Sequence, residues 1–98
     1  MIIKEALAEL EFKQNPVAKI LHTSDTVKII VLAFKKGMVL KEHKTTISAK
    51  LLVIDGKVKY LSSVTETILN QHDEFIIPMN ELHAVEAIED SVCLLIKG

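Results

Sequence analysis

The chain is poor in the residues that usually punctuate or staple a fold. It has one cysteine, three glycines, two prolines and only 4% aromatic residues. Cys93 has no partner for an internal disulfide, which excludes a disulfide-stapled scaffold. Gly and Pro are too few and too scattered to mark a linker, and no Ser/Gly-rich tract or internal repeat breaks the sequence. Twelve Lys/Arg against thirteen Asp/Glu leave a formal net charge of −1, so there is no basic excess to hold a phosphate backbone and no nucleic acid partner is expected. The longest uninterrupted apolar run is Ile29–Phe34. A membrane helix needs roughly 20 apolar residues, so no membrane partner is expected either. Lys4 and Glu5 follow Met1-Ile2-Ile3 at once, leaving no apolar stretch of signal-peptide length. The expected location is cytoplasmic, where Cys93 serves as a small buried apolar side chain within Val92-Cys93-Leu94-Leu95-Ile96.

What is present is a hydrophobic fraction of 49% over 98 residues. That suffices for one core, and a single domain over 1–98 is expected. Residues 2–10 read as a short amphipathic helix, with Ile3, Leu7 and Leu10 at helical spacing and a strand as the alternative. From Val17 onward β-branched residues dominate in short runs between polar turns. The runs predict strands near 17–23, 26–34, 39–45, 49–55, 57–62, 64–69, 74–78, 82–88 and 91–97. Closely spaced strands with short connections and no intervening helix imply an all-β antiparallel sandwich or barrel.

The strongest local signal is Ile54-Asp55-Gly56-Lys57, which predicts a two-residue type I′ hairpin. That hairpin would set Val53 opposite Val58 and Leu51 opposite Tyr60. Leu51, Val53, Val58 and Tyr60 then point to the core. The opposite face carries Leu52 and Ile54, and its half-apolar character leads us to expect a homodimer, with the N-terminal segment as another cover.

Gly37-Met38-Val39-Leu40-Lys41-Glu42-His43, with Gly56 thirteen residues further on, resembles the first motif of the cupin superfamily, G-x5-H-x-H-x3–4-E-x6-G. Pro78 and His83 match the proline and histidine of the second motif, G-x5-P-x-G-x2-H-x3-N. The resemblance covers about two-thirds of the chain, from roughly Val27 to Ile96, and implies an antiparallel jelly-roll β-barrel. Metal-binding cupins hold the ion with two His and a Glu from the first motif and a His from the second. The matching positions here are His43, Thr45, Ala49 and His83, so two of four ligands are replaced. His72 and Asn80 stand where the second motif has Gly. Asn tolerates left-handed backbone, and His72 sits where a turn facing solvent is expected.

Strand parity places Ala49 with Leu51 and Val53, and His83 with Val85 and Ala87. If His43 and Thr45 also face inward, these positions line one interior. Lys41 would then share the inward parity of His43 unless a bulge intervenes. Tyr60 could contribute its hydroxyl as a donor or weak acid. The expected ligand pocket is therefore His43, Thr45, Tyr60 and His83 in aliphatic surroundings, suited to an apolar or semi-polar small molecule. No cofactor is expected. The alternative is a divalent transition metal on His43 and His83, giving an oxygenase- or isomerase-like enzyme with a reduced ligand set. A further alternative is a dimerisation or scaffold module. Glu81, in the loop before His83, could swing in. Lys35-Lys36 reads as a solvated pair at a turn.

Overall fold

The computed structural model describes the backbone of residues 1–98 and all side chains except those of Glu42 and His43. One helix precedes nine strands: α1 (Ile2–Leu10), β1 (Val17–Thr23), β2 (Lys28–Phe34), β3 (Val39–His43), β4 (Ala49–Asp55), β5 (Val58–Ser62), β6 (Glu66–Leu69), β7 (Glu74–Ile77), β8 (His83–Ala87) and β9 (Ser91–Lys97). Every stretch expected to be a strand forms one, with ends trimmed by up to two residues. The N-terminal segment is helix. That helix is too short to cross a membrane, as no helix among the described residues is long and apolar enough to do so.

The strands form two sheets, ordered β1-β2-β9-β4-β7 and β3-β8-β5-β6, and every pairing is antiparallel. The expected barrel is a two-layer jelly roll whose sheets face each other without closing. The core between them is aliphatic: Leu32, Leu51, Val53, Val58, Leu69, Ile77, Val85 and Leu95 are buried there, with Phe34, Tyr60 and Cys93. Cys93 is fully buried, as its apolar context implies, and burial pushes its thiol up to about 12.

The Asp55-Gly56 hairpin does not form. β4 pairs with β7 and β9, whereas β5 pairs with β6 and β8 in the other sheet. Both edges of each strand are taken, so the chain at Gly56 crosses from one sheet to the other. The inward parity nevertheless holds: Leu51, Val53, Val58 and Tyr60 are all buried. They meet from opposite sheets instead of lying side by side. Gly56 has φ +89°, and a Cβ there would overlap the Asp90 carbonyl oxygen and the Ser91 hydroxyl. Ser91 secures the crossing: its hydroxyl accepts from the Lys57 N–H at 3.0 Å and lies 2.7 Å from the Glu89 carbonyl.

The helix packs on the outer face of β1 and β2. Its buried residues are Ala6 and Leu10, with Ile2 and Ile3 partly covered, while Leu7 is partly exposed. The buried stripe thus runs through Ile3, Ala6 and Leu10, one position off the expected Ile3, Leu7 and Leu10. It joins Val17, Val31, Ala33 and Val92, and Ile54 and Leu94 pack against this cluster. The helix therefore covers Ile54, part of the face that sequence patterning left open for a second copy. Lys35 is not merely solvated: it pairs with Glu11 just after the helix, and the Lys36 N–H donates to Asp90 at 2.8 Å.

Candidate functional site

Tyr60 and His83 come together because β5 and β8 are neighbours in one sheet. Tyr60 lies opposite Val85, and Ser62 lies opposite His83. Tyr60 and His83 are therefore diagonal neighbours on the same face, close enough for ring contact. Their rings stack with centroids 5.1 Å apart and planes 22° apart. Phe75 approaches the same tyrosine from β7 in the facing sheet, at a centroid distance of 4.4 Å. Tyr60 is fully buried and His83 is 1% exposed, so this aromatic stack lies between the layers.

Two polar atoms of the stack are held by one residue. The Tyr60 hydroxyl donates to Glu81 Oε1 at 2.6 Å. His83 Nδ1 lies 2.9 Å from the Glu81 backbone carbonyl. A carbonyl only accepts, so Nδ1 carries the proton in this contact, and in the neutral ring the lone pair sits on Nε2. Glu81 is in the loop of residues 78–82 between β7 and β8. Asn80 in this loop adopts φ +63°, the left-handed conformation expected of it, and its N–H donates to the Thr45 carbonyl at 2.8 Å. Burial, then the hydrogen bond to Glu81, pushes the Tyr60 phenol well above its ordinary value. Of the two roles open to Tyr60, donor and weak acid, the donor form is the one held at neutral pH.

The other expected site residues fall as follows. Thr45 is buried, but its hydroxyl donates to the Ile47 carbonyl at 3.1 Å and accepts from the Ile47 N–H at 3.3 Å. It serves its own turn in the β3–β4 connection. Ala49 is buried in the core cluster that includes Tyr60, and offers no ligand atom. The backbone of His43 lies opposite that of His83, but its side chain is outside the described residues. Between Leu40 and His43 the ladder shifts: residues 41 and 42 face the single residue Ala84 of β8. This bulge takes Lys41 out of phase, and it is exposed. His72 has φ +72° and faces solvent, as its turn position implies.

Sequence reading undervalued Glu81 and did not include Phe75. Glu81 is two residues from His83, but nothing in a loop's sequence says which way its side chain reaches. Phe75 carries a signal in retrospect, because it pairs with the inward Leu51.

Among the described residues, no group of three His, Cys, Asp or Glu side chains is placed to hold an ion. Thr45 is engaged in its turn and Ala49 has no donor, leaving His83 as the sole described ligand of the four positions. Recesses of about 120 Å³ between the helix end and Val92 and about 240 Å³ beside Ala49 and Ile76 open on the surface. Neither is lined by Tyr60, Glu81 or His83.

Solved structures resemble this chain over most of its length. An RmlC-like cupin protein from Desulfovibrio desulfuricans superposes with a TM-score of 0.80 at 23% identity, covering 87% of this chain and 83% of that one. A conserved protein with a double-stranded β-helix domain from Klebsiella pneumoniae gives 0.80 at 16% identity, covering 88% and 74%. A cupin 2 conserved barrel domain protein from Leptotrichia buccalis gives 0.78 at 30% identity; 87% of this chain matches 41% of that longer one. No protein-family model and no curated protein matches the sequence.

Proposed function

Since the fold is that of a small cupin jelly roll, we propose that this chain binds a small organic molecule between its two sheets, beside Tyr60 and His83, and that it does so without a four-ligand metal centre. The observation that carries this reading is the buried Tyr60–His83 stack, whose polar atoms converge on the one loop residue Glu81. A polar pair in an aliphatic interior orients a ligand, while the surrounding Leu and Val surface supplies burial. Tyr60 is the donor, and the His83 ring stacked on it forms the adjoining wall. The expected pocket also includes His43, on β3, and Thr45, in the β3–β4 connection, whose hydroxyl would have to leave its own turn to meet a ligand. Entry requires the loop of residues 78–82 to swing away, because the Glu81 carboxylate already occupies the Tyr60 hydroxyl. Catalysis is not part of this proposal.

Ligand-observed NMR against a library of small organic acids, amides and alcohols tests it. Hits that vanish in both Tyr60→Phe and His83→Ala are expected. Hits indifferent to both substitutions, or none at all, overturn the pocket. One observation favours a second reading: the His83 Nδ1–H is held by a backbone carbonyl, the arrangement that orients metal-ligating histidines. Metal content of tag-free protein decides it. One equivalent of a transition metal, lost on His43→Ala His83→Ala, would establish a reduced two-His centre. The homodimer is proposed on the half of the outer face beyond the helix, where Leu52, Ile76 and Ile96 lie; a monomer by light scattering removes it.

A further inference from the structure

The Glu81 side chain is the one charged group that the described residues bring to the buried Tyr60 hydroxyl. It does not belong to either sheet. It arrives from a loop that is partly exposed and that carries a left-handed asparagine. Its carboxylate therefore stands where an acceptor from outside the chain would have to stand. We infer that Glu81 is a resident stand-in for a ligand carboxylate, and that the site at Tyr60 takes a small monocarboxylate when Glu81 withdraws. This inference rests on the pocket proposed above and names the ligand class for it.

Three features support the class. The buried donor is a phenol hydroxyl, and such a donor bonds a charged acceptor more strongly than a neutral one. The exchange is neutral in charge, because one carboxylate leaves for water as another enters. The surroundings are aromatic and tight: Phe75 and His83 pack directly on the Tyr60 ring, with centroids 4.4 Å and 5.1 Å away, which favours a short body behind the carboxylate. The raised proton affinity of Tyr60 fits the same picture, since the hydroxyl keeps its proton to donate.

Truncating Glu81 to alanine removes a CH₂–carboxylate unit, which is acetate less one hydrogen. Glu81→Ala should then bind added acetate or propionate. The readouts are thermal stability and the near-ultraviolet signal of the tyrosine. Tyr60 is the only tyrosine and the chain has no tryptophan, so that signal reports this site alone. Acetate should bind about tenfold more tightly than acetamide, the ratio given by roughly 1.4 kcal/mol. Wild-type protein and Glu81→Ala Tyr60→Phe should not respond at the same concentrations. Glu81→Gln keeps the side-chain volume and should stay unresponsive.

Equal binding of acetate and acetamide would overturn the carboxylate class and leave the organic-ligand pocket standing. A folded Glu81→Ala that ignores both would overturn the inference, and the wild-type library screen would then judge the pocket on its own. If Glu81→Ala folds poorly, refolding it in acetate against acetamide is the same test. Rescue by acetate alone supports the inference, and rescue by neither or both overturns it.

Discussion

Replacing Gly56 separates the crossing found here from the hairpin that its sequence suggests. In a type I′ hairpin, asparagine is a good substitute for glycine, because it tolerates φ > 0. In the crossing, two conditions apply together: φ is +89°, and the space beyond Cα is filled by the Asp90 carbonyl and the Ser91 hydroxyl. Alanine violates both. Left-handed backbone costs a non-glycine residue about 1–2 kcal/mol. Forcing a methyl against backbone adds about 1–3 kcal/mol. Gly56→Ala should therefore lose about 2–5 kcal/mol. Gly56→Asn escapes most of the first cost but not the second, and should lose about 1–3 kcal/mol. Removing the Ser91 hydroxyl as well should not rescue either variant, because the Asp90 carbonyl is main chain. Urea unfolding followed by circular dichroism gives the numbers. A Gly56→Asn variant within about 0.5 kcal/mol of wild type would refute the packing argument, since surface-like substitutions fall in that range.

Other consequences can be measured in the same preparations. The Tyr60 phenol is neutral when protonated, and folding raises its affinity for the proton. The folded state thus binds more protons above the ordinary value of 10.0, and its stability should be intact below that pH and fall as pH rises past it. Phenolate absorbance appearing in still-folded protein near pH 10 would contradict this. Cys93 is buried, with its thiol pushed up to about 12, so thiol reagents should label it only at the rate of unfolding. Rapid labelling of native protein would place that residue wrongly. Leu10→Ala should cost about 2–3 kcal/mol by opening the helix–sheet cluster, whereas Leu7→Ala should cost under about 1 kcal/mol. Equal losses would restore the stripe through Leu7.

The strands and their inward faces were legible because they depend on local alternation, and Leu51, Val53, Val58 and Tyr60 obey it whichever strands lie beside them. Asn80 was legible as a left-handed position from its residue type, whereas His72 was legible only as a solvent-facing turn residue from its place in the motif. Sheet membership was not. A tight Asp-Gly turn signals a sharp reversal, but whether the next strand pairs or crosses is decided by competitors distant in sequence, here β9 for β4 and β8 for β5. The site was legible only in part for the same reason. Tyr60 and His83 sit on strands and inherit their parity, whereas the Glu81 contact depends on the path of a loop. Thr45 shows the converse: its buried position was anticipated, but its hydroxyl is taken by the turn that Ile47 completes.

The bulge in β3 has a consequence for chain length. Because residues 41 and 42 together answer a single residue of β8, the strand carries one residue more than its partner requires. Deleting Lys41 would leave Leu40 opposite Val85 and the His43 backbone opposite His83. The jelly roll thus has a place where its rim can gain or lose a residue while its interior register stays fixed. Two chains that differ in length at this point would share the same interior, although a gapless alignment would set every strand residue beyond it one position out.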